Sequence, residues 1–220
     1  MNNVKSAAAL LFGALGLSAV TILPAQAGLP GQATDAEPTP DGVSVEVVTV
    51  NGSGCPAGTA SASVSEDRTA FSVTYDDFLA FAGADANPTG FRKNCQLNLK
   101  VHVPQGYTYA VKGIRHRGFA GVESGATALL RTNYYFQGSP QNSVVSHTIR
   151  GRYLGNWVYD DDVAQDQLVY KPCGEERNLN INTELRVDTG TSDEAKISFV
   201  ALDSQRGSAR YDFAWKRCGA

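Results

Sequence analysis

Past residue 27 this sequence has no long apolar run, no sustained helical periodicity, no C-x-x-C pair and no continuous basic stripe, and each lack excludes a class of protein. A bilayer-spanning helix needs about twenty uninterrupted apolar residues, so no membrane span is expected in the mature chain. A surface that tracks phosphates needs clustered cations. Here the formal net charge is -3 and the basic residues are scattered, apart from Arg115-His116-Arg117, so nucleic acid is not an expected partner. The three histidines, His102, His116 and His147, fall in no zinc or hydrolase motif, and no cysteine has a histidine near it, which argues against structural zinc. With no phosphate-binding motif either, no cofactor is expected.

What is present begins with an export signal. Lys5 precedes an uncharged run of apolar and small residues from Ala7 to Leu23, and Ala25-Gln26-Ala27 has the small-x-small form that signal peptidase cleaves. Residues 1–27 therefore read as a signal peptide; an uncleaved anchor is the alternative, weakened by Gly13, Gly16 and Ser18 within the run. Residues 28–42, rich in proline and glycine, read as a disordered lead-in, and 43–220 as a single domain. A secreted, extracellular protein is expected to oxidise its cysteines. Cys55, Cys95, Cys173 and Cys218 allow three pairings. The pairing of Cys55 with Cys95 and of Cys173 with Cys218 is favoured, because each loop then stays within one half of the chain.

The residue pattern is that of strands. From Cys95 to Val103 every odd position is apolar or cysteine and every even position polar, the period-two signature of a half-buried strand. Pro104-Gln105-Gly106 supplies a turn, after which Tyr107, Tyr109 and Val111 resume the alternation. Shorter strands are read around Val43–Val47, Ala60–Val64 and Ala70–Tyr75. Near the C-terminus, Leu179, Ile181, Leu185 and Val187 share a parity, as do Ile197 and Phe199, and Tyr211, Phe213 and Trp215. Tyr75–Ala84 is the nearest approach to a helical pattern and could form one or two turns. Many short strands separated by turn residues predict an all-β fold, an antiparallel β-sandwich in which a jelly-roll is one arrangement and a closed barrel the alternative.

The run Cys95-Gln96-Leu97 through Pro104-Gln105-Gly106-Tyr107, then Arg117-Gly118-Phe119, Tyr134-Tyr135-Phe136-Gln137-Gly138, Cys173-Gly174 and Leu179-Asn180-Ile181-Asn182, resembles domain-of-unknown-function family 4360 over roughly residues 45–218. The resemblance implies a small secreted protein with paired cysteines, and it supplies no catalytic residue. The chain departs from the family pattern at Ile114-Arg115-His116, where an acidic residue and a tyrosine are expected.

Few constellations suggest chemistry. On a strand, Arg115 and Arg117 would point away from His116, which disfavours an anion site among the three. No nucleophile elbow is present; Gly52-Ser53-Gly54 reads as a turn, and Asn51-Gly52-Ser53 also matches a glycosylation sequon. Asp76-Asp77, Asp160-Asp161-Asp162 and Glu175-Glu176 are the available carboxylates, but adjacent strand residues face opposite ways, so a glycosidase pair would have to come from different strands. Asp160 and Asp162 are a weak calcium candidate lacking the spacing of a dedicated loop. Aromatics are the most suggestive feature for binding. Tyr134, Tyr135, Trp157 and Tyr159 sit in runs that put rings on both faces of their strands, and such rings suit stacking on sugars or packing on a protein. The expectation is a non-catalytic module that binds an extracellular carbohydrate, cell-surface or protein ligand. A carboxylate-based hydrolase or lyase acting on extracellular polysaccharide, and a structural envelope or matrix protein, are the alternatives.

Overall fold

Alternating apolar and polar side chains bury one face of a strand and leave the other wet, and the computed structural model, which describes residues 39–84, 86–202 and 207–219, contains twelve such strands. In chain order these are β1 (Ser44–Asn51), β2 (Ala60–Val64), β3 (Ala70–Tyr75), β4 (Leu79–Ala82), β5 (Arg92–His102) and β6 (Tyr107–Val122). They continue with β7 (Thr127–Phe136), β8 (Ser143–Arg150), β9 (Tyr153–Asp162), β10 (Leu179–Asp188), β11 (Ser198–Ala201) and β12 (Ser208–Arg217). The expected signal peptide and most of the lead-in lie outside the described residues.

All pairings are antiparallel, and the strands form two sheets packed as a sandwich. The five-stranded sheet runs β1-β5-β10-β7-β8. The seven-stranded sheet is organised on β6, whose sixteen residues accept β12 and then β11 along one side and β9 along the other. Strands β3 and β2 continue outward from β12, and β4 from β11. The consecutive strands β8 and β9 thus end up at the edges of opposite sheets.

Between the sheets, Leu97, Leu99, Ile181 and Leu185 of the five-stranded sheet share a core with Phe71, Tyr75, Tyr211 and Phe213 of the other. Burying each such side chain is worth about 1.5–3 kcal/mol, and the Phe71 and Tyr211 rings stack at 4.8 Å. One disulfide joins Cys55, in the loop after β1, to Cys95 of β5; the other joins Cys173, in the loop before β10, to Cys218 at the end of β12. Both residues of the first bond are buried, whereas Cys173 is exposed.

Two local expectations are corrected. Tyr75–Ala84 forms no helical turn: the chain bends after β3 and enters β4, whose Ala80 and Ala82 face inward while its backbone pairs with β11. The one short helical element among the described residues is a 3-10 turn at Gln165–Gln167. Ile197 and Phe199 do not face the core. Ser198 and Val200 hold the inward positions, and the Ser198 hydroxyl is satisfied by accepting the Glu123 backbone N–H at 3.1 Å.

Candidate functional site

The middle of the outward face of the five-stranded sheet is rich in carboxamides. The polar positions of β5 supply Gln96 and Asn98, and those of β10 supply Asn180 and Asn182. The register places Asn51, Gln96, Asn182 and Asn133 side by side across four strands. One row away, about 7 Å along the strands, Thr49, Asn98, Asn180 and Tyr135 form a second line. Part of this array is internally bonded: Asn178 Nδ2 donates to Asn98 Oδ1 at 2.6 Å, and Asn98 Nδ2 donates to Asn180 Oδ1 at 2.8 Å. The first row carries no such side-chain bond among the described residues. Asn133 Oδ1 is covered and has no hydrogen-bond partner there, an arrangement that costs about 1–3 kcal/mol.

On the opposite side of the first row, Arg92, Glu184 and Arg131 complete a shallow open cavity of about 230 Å³ that also takes in Asn94, Gln96, Asn133 and Asn182. Glu184 accepts from Arg92 Nη2 at 2.5 Å and from Arg186 Nη2 at 3.0 Å. Partial burial works to raise the Glu184 pKa, but the bonds and charges of these two guanidinium groups outweigh it and hold the carboxyl below its ordinary range. The surface therefore offers amide donors and acceptors with charge at one end and a tyrosine at the other. A larger cleft, of about 420 Å³, lies beside β4, lined by Phe81, Phe91, Pro88 and small residues, with Asn87, Thr189 and Glu194 as its polar members. The Asn87 carboxamide oxygen there is taken up by Thr89, which leaves few polar groups to orient a ligand.

A second polar constellation lies where β8 and β9 face one another. His147 Nε2 is 2.8 Å from Asp161 Oδ2, both side chains about one-fifth exposed, and the Tyr159 ring stacks on the imidazole at 4.0 Å. Deeper in, His116 is fully buried, with Nε2 3.1 Å from the Thr132 hydroxyl. Desolvation pushes the His116 pKa down to about 4, partly offset by the Asp161 charge and reinforced by His147. Among the described residues no serine, threonine or cysteine hydrogen-bonds to His147, so this pair lacks the nucleophile of a hydrolase triad. It joins the edges of the two sheets.

The residues singled out from sequence are spread over these surroundings. Tyr134 and Trp157 point inward and are buried, Trp157 lying so tightly over Gly118 that a Cβ there would come within 2.4 Å of its ring. Tyr159 faces His147, and Tyr135 stands on the amide face. Asp160 and Asp162 lie on the outward side of β9, where Asp160 pairs with Arg115 at 2.5 Å. Asp76 and Asp77 are exposed in the bend after β3, and Glu175 and Glu176 pair with Arg177 and Lys100. His102 is exposed, and His116 points away from Arg115 and Arg117. No group of three or more metal-ligating side chains gathers among the described residues. The structure brings together Gln96, Asn133, Asn182 and Arg131, which the sequence reading did not single out. The available signal was that the polar positions nearest the middle of β5 and at the start of β10, 96, 98, 180 and 182, are all carboxamides.

Three comparisons relate the chain to known proteins. The family Domain of unknown function (DUF4360) matches residues 41–218. An uncharacterized secreted protein of Arthroderma benhamiae is 35% identical over 183 residues, covering 82% of this chain and 74% of the relative. This kinship and the two disulfides mark the chain as a secreted protein. Among solved structures, the enzymatically active domain of bacteriophage CBA120 tailspike protein 4 aligns with 80% of this chain at 12% identity and a TM-score of 0.25. This chain spans only 19% of that one, and the likeness carries no argument about activity.

Proposed function

Given that the chain belongs to the family Domain of unknown function (DUF4360) and is secreted, we propose that it is a non-catalytic binding module whose five-stranded sheet takes an extracellular carbohydrate across its outward face. The observation that carries this reading is the row Asn51, Gln96, Asn182 and Asn133, laid across four strands and opening onto the cavity beside Arg131. A carboxamide both donates and accepts, which matches the alternating hydroxyl and ether oxygens of a sugar chain; Asn133, whose Oδ1 is covered, contributes its Nδ2 donors. Strands about 4.8 Å apart hold the amides on a rigid scaffold, so little ordering entropy is lost on binding. Tyr135, beside Asn180, supplies an apolar ring edge at the rim.

The carboxylates support binding over hydrolysis. Glu184, the one acid in the cavity, is committed to two arginines, and no second carboxylate faces it there, whereas glycoside hydrolysis uses an opposed pair about 5 to 9.5 Å apart. The test is to incubate the purified mature protein with a panel of insoluble and soluble polysaccharides, scoring retention and reducing-sugar release together. Retention without release, lost in an Asn182→Ala variant that still folds, is the expected result. Release of sugar, or retention unchanged by Asn182→Ala, would overturn the reading.

A further inference from the structure

Resting on that reading, we infer that the sugar chain bound on this face is acidic, and that Arg131 receives its carboxylate. Arg131 and Glu184 are direct cross-strand partners on β7 and β10, a placement that brings their Cβ atoms to about 5 Å and ordinarily produces an ion pair. No such pair forms. The Glu184 carboxylate is turned the other way, with one oxygen on Arg92 and the other on Arg186. Arg131 is left exposed, with no ion-pair or hydrogen-bond partner among the described residues, and it lines the cavity beside Asn133 and Asn182.

The local charge reinforces the choice. Three arginines, Arg92, Arg131 and Arg186, gather around a single carboxylate in a chain whose formal net charge is -3. The cavity lining, with Arg92 and Arg131 against Glu184, thus carries a net positive charge on an acidic protein. A guanidinium presents parallel N–H donors whose spacing matches the two oxygens of a carboxylate, and the same site already holds one carboxylate between guanidinium groups, Glu184 with Oε2 on Arg92 and Oε1 on Arg186. A uronic acid residue seated with its carboxylate on Arg131 would turn its ring hydroxyls toward the Asn182 and Asn133 amides. The chemistry recognised is thus a hydroxyl-bearing ring with one planar anionic substituent, repeated along a polymer.

The experiment measures binding of the folded, disulfide-intact mature protein to four soluble probes: polygalacturonate, its methyl-esterified form, dextran sulfate and dextran. Each is assayed with wild type and with Arg131→Gln at two salt concentrations. Polygalacturonate is expected to bind at least tenfold more tightly than its methyl ester, and Arg131→Gln is expected to erase that preference while leaving thermal unfolding unchanged. Equal binding of polygalacturonate and its ester would overturn the inference while leaving the carbohydrate module standing. Dextran sulfate binding as well as polygalacturonate, with both abolished by salt, would reduce the effect to unspecific charge and overturn it too. If neither polygalacturonate nor any member of the wider panel is retained, both readings fall together.

Discussion

The outward faces of the two sheets solve the same problem differently. On the seven-stranded sheet, arginine meets a partner on or beside it: Arg115 lies on Asp160 of β9, Arg210 on Asp212 of its own strand, and Arg117 donates to the Ser208 hydroxyl of β12. Where charge ends, apolar side chains take over, with Leu154 77% and Val158 55% exposed and Phe199 lying over Gly121. Each of these outward arginines is thus engaged by a neighbour. On the five-stranded sheet the Asn51–Asn133 row and Arg131 retain theirs, although cross-strand neighbours that could absorb it are in place. Apart from the covered Asn133 Oδ1, a polar surface that does not satisfy itself costs a free protein little in water, yet it is the kind that converts a hydroxyl-rich ligand into bonds.

The sharpest way to break this contrast acts through the covalent ties, since one disulfide anchors β5 of the amide sheet and the other anchors β12 of its counterpart. Sequence separations of 40 and 45 make the two loops nearly equal, worth roughly 4 kcal/mol each in the chain-entropy model. Cys55 and Cys95 are buried and Cys173 is exposed, so the double variant Cys55→Ala/Cys95→Ala should lose more stability than Cys173→Ala/Cys218→Ala, by the packing of the removed sulfurs. Urea unfolding of both variants measures the gap. Equal losses would show that loop closure accounts for everything and burial for nothing.

A smaller effect, confined to the inner face of the seven-stranded sheet, comes from His116. Its folded pKa of about 4 lies below the ordinary 6.5, so the unfolded chain takes up a proton that the folded one refuses. Stability should therefore fall as pH drops from about 6.5 toward 4 and level off below, for a total on the order of 3 kcal/mol. The facing groups, Asp161 and His147, act on His116 in opposite directions, which makes the difference between variants more informative than the absolute curve. His116→Gln removes the linked proton, and chemical unfolding at pH 7 and pH 4.5 should show a shallower loss than in wild type. Identical slopes would mean that His116 is charged or solvated in the fold.

Much of this was legible in the residues and some of it was not, for reasons that differ by element. Alternation from Cys95 to Val103 sufficed to assign a strand and its buried side, because each inward position is apolar or sulfur-bearing and each outward one polar. The same rule correctly sends His116 away from its two arginines, but it fails at Ile197–Val200. There apolar side chains occupy both parities, and the buried polar one, Ser198, is made tolerable by a backbone donor from Glu123, remote in sequence. Strand β9 has the same ambiguity: Tyr153, Trp157 and Tyr159 compete with Leu154 and Val158, and the choice falls on the side where Gly118 leaves room for the indole. The candidate site was hidden for another reason. Asn98 and Asn180 are 82 residues apart, and only the register of β5 on β10 and of β10 on β7 turns separate carboxamides into a row.

The smallest expected effect tests the other side of the comparison. If the outward arginines of the seven-stranded sheet are satisfied by their neighbours and serve no ligand, disrupting Arg115 and Asp160 should change little. Both side chains are more than half exposed, where water and salt screen the pair and side-chain entropy opposes it, so a double-mutant cycle with Arg115→Gln and Asp160→Asn should return a coupling of about 0–1 kcal/mol. Polysaccharide retention should be unaltered in all three variants, in contrast to Asn182→Ala on the opposite face. A loss of retention in Arg115→Gln would move the binding surface to β6 and β9, beside Arg117 and the exposed Leu154 and Val158. The amide rows would then be an ordinary solvated sheet, and the lack of a partner for Arg131 among the described residues an accident of how Glu184 turns.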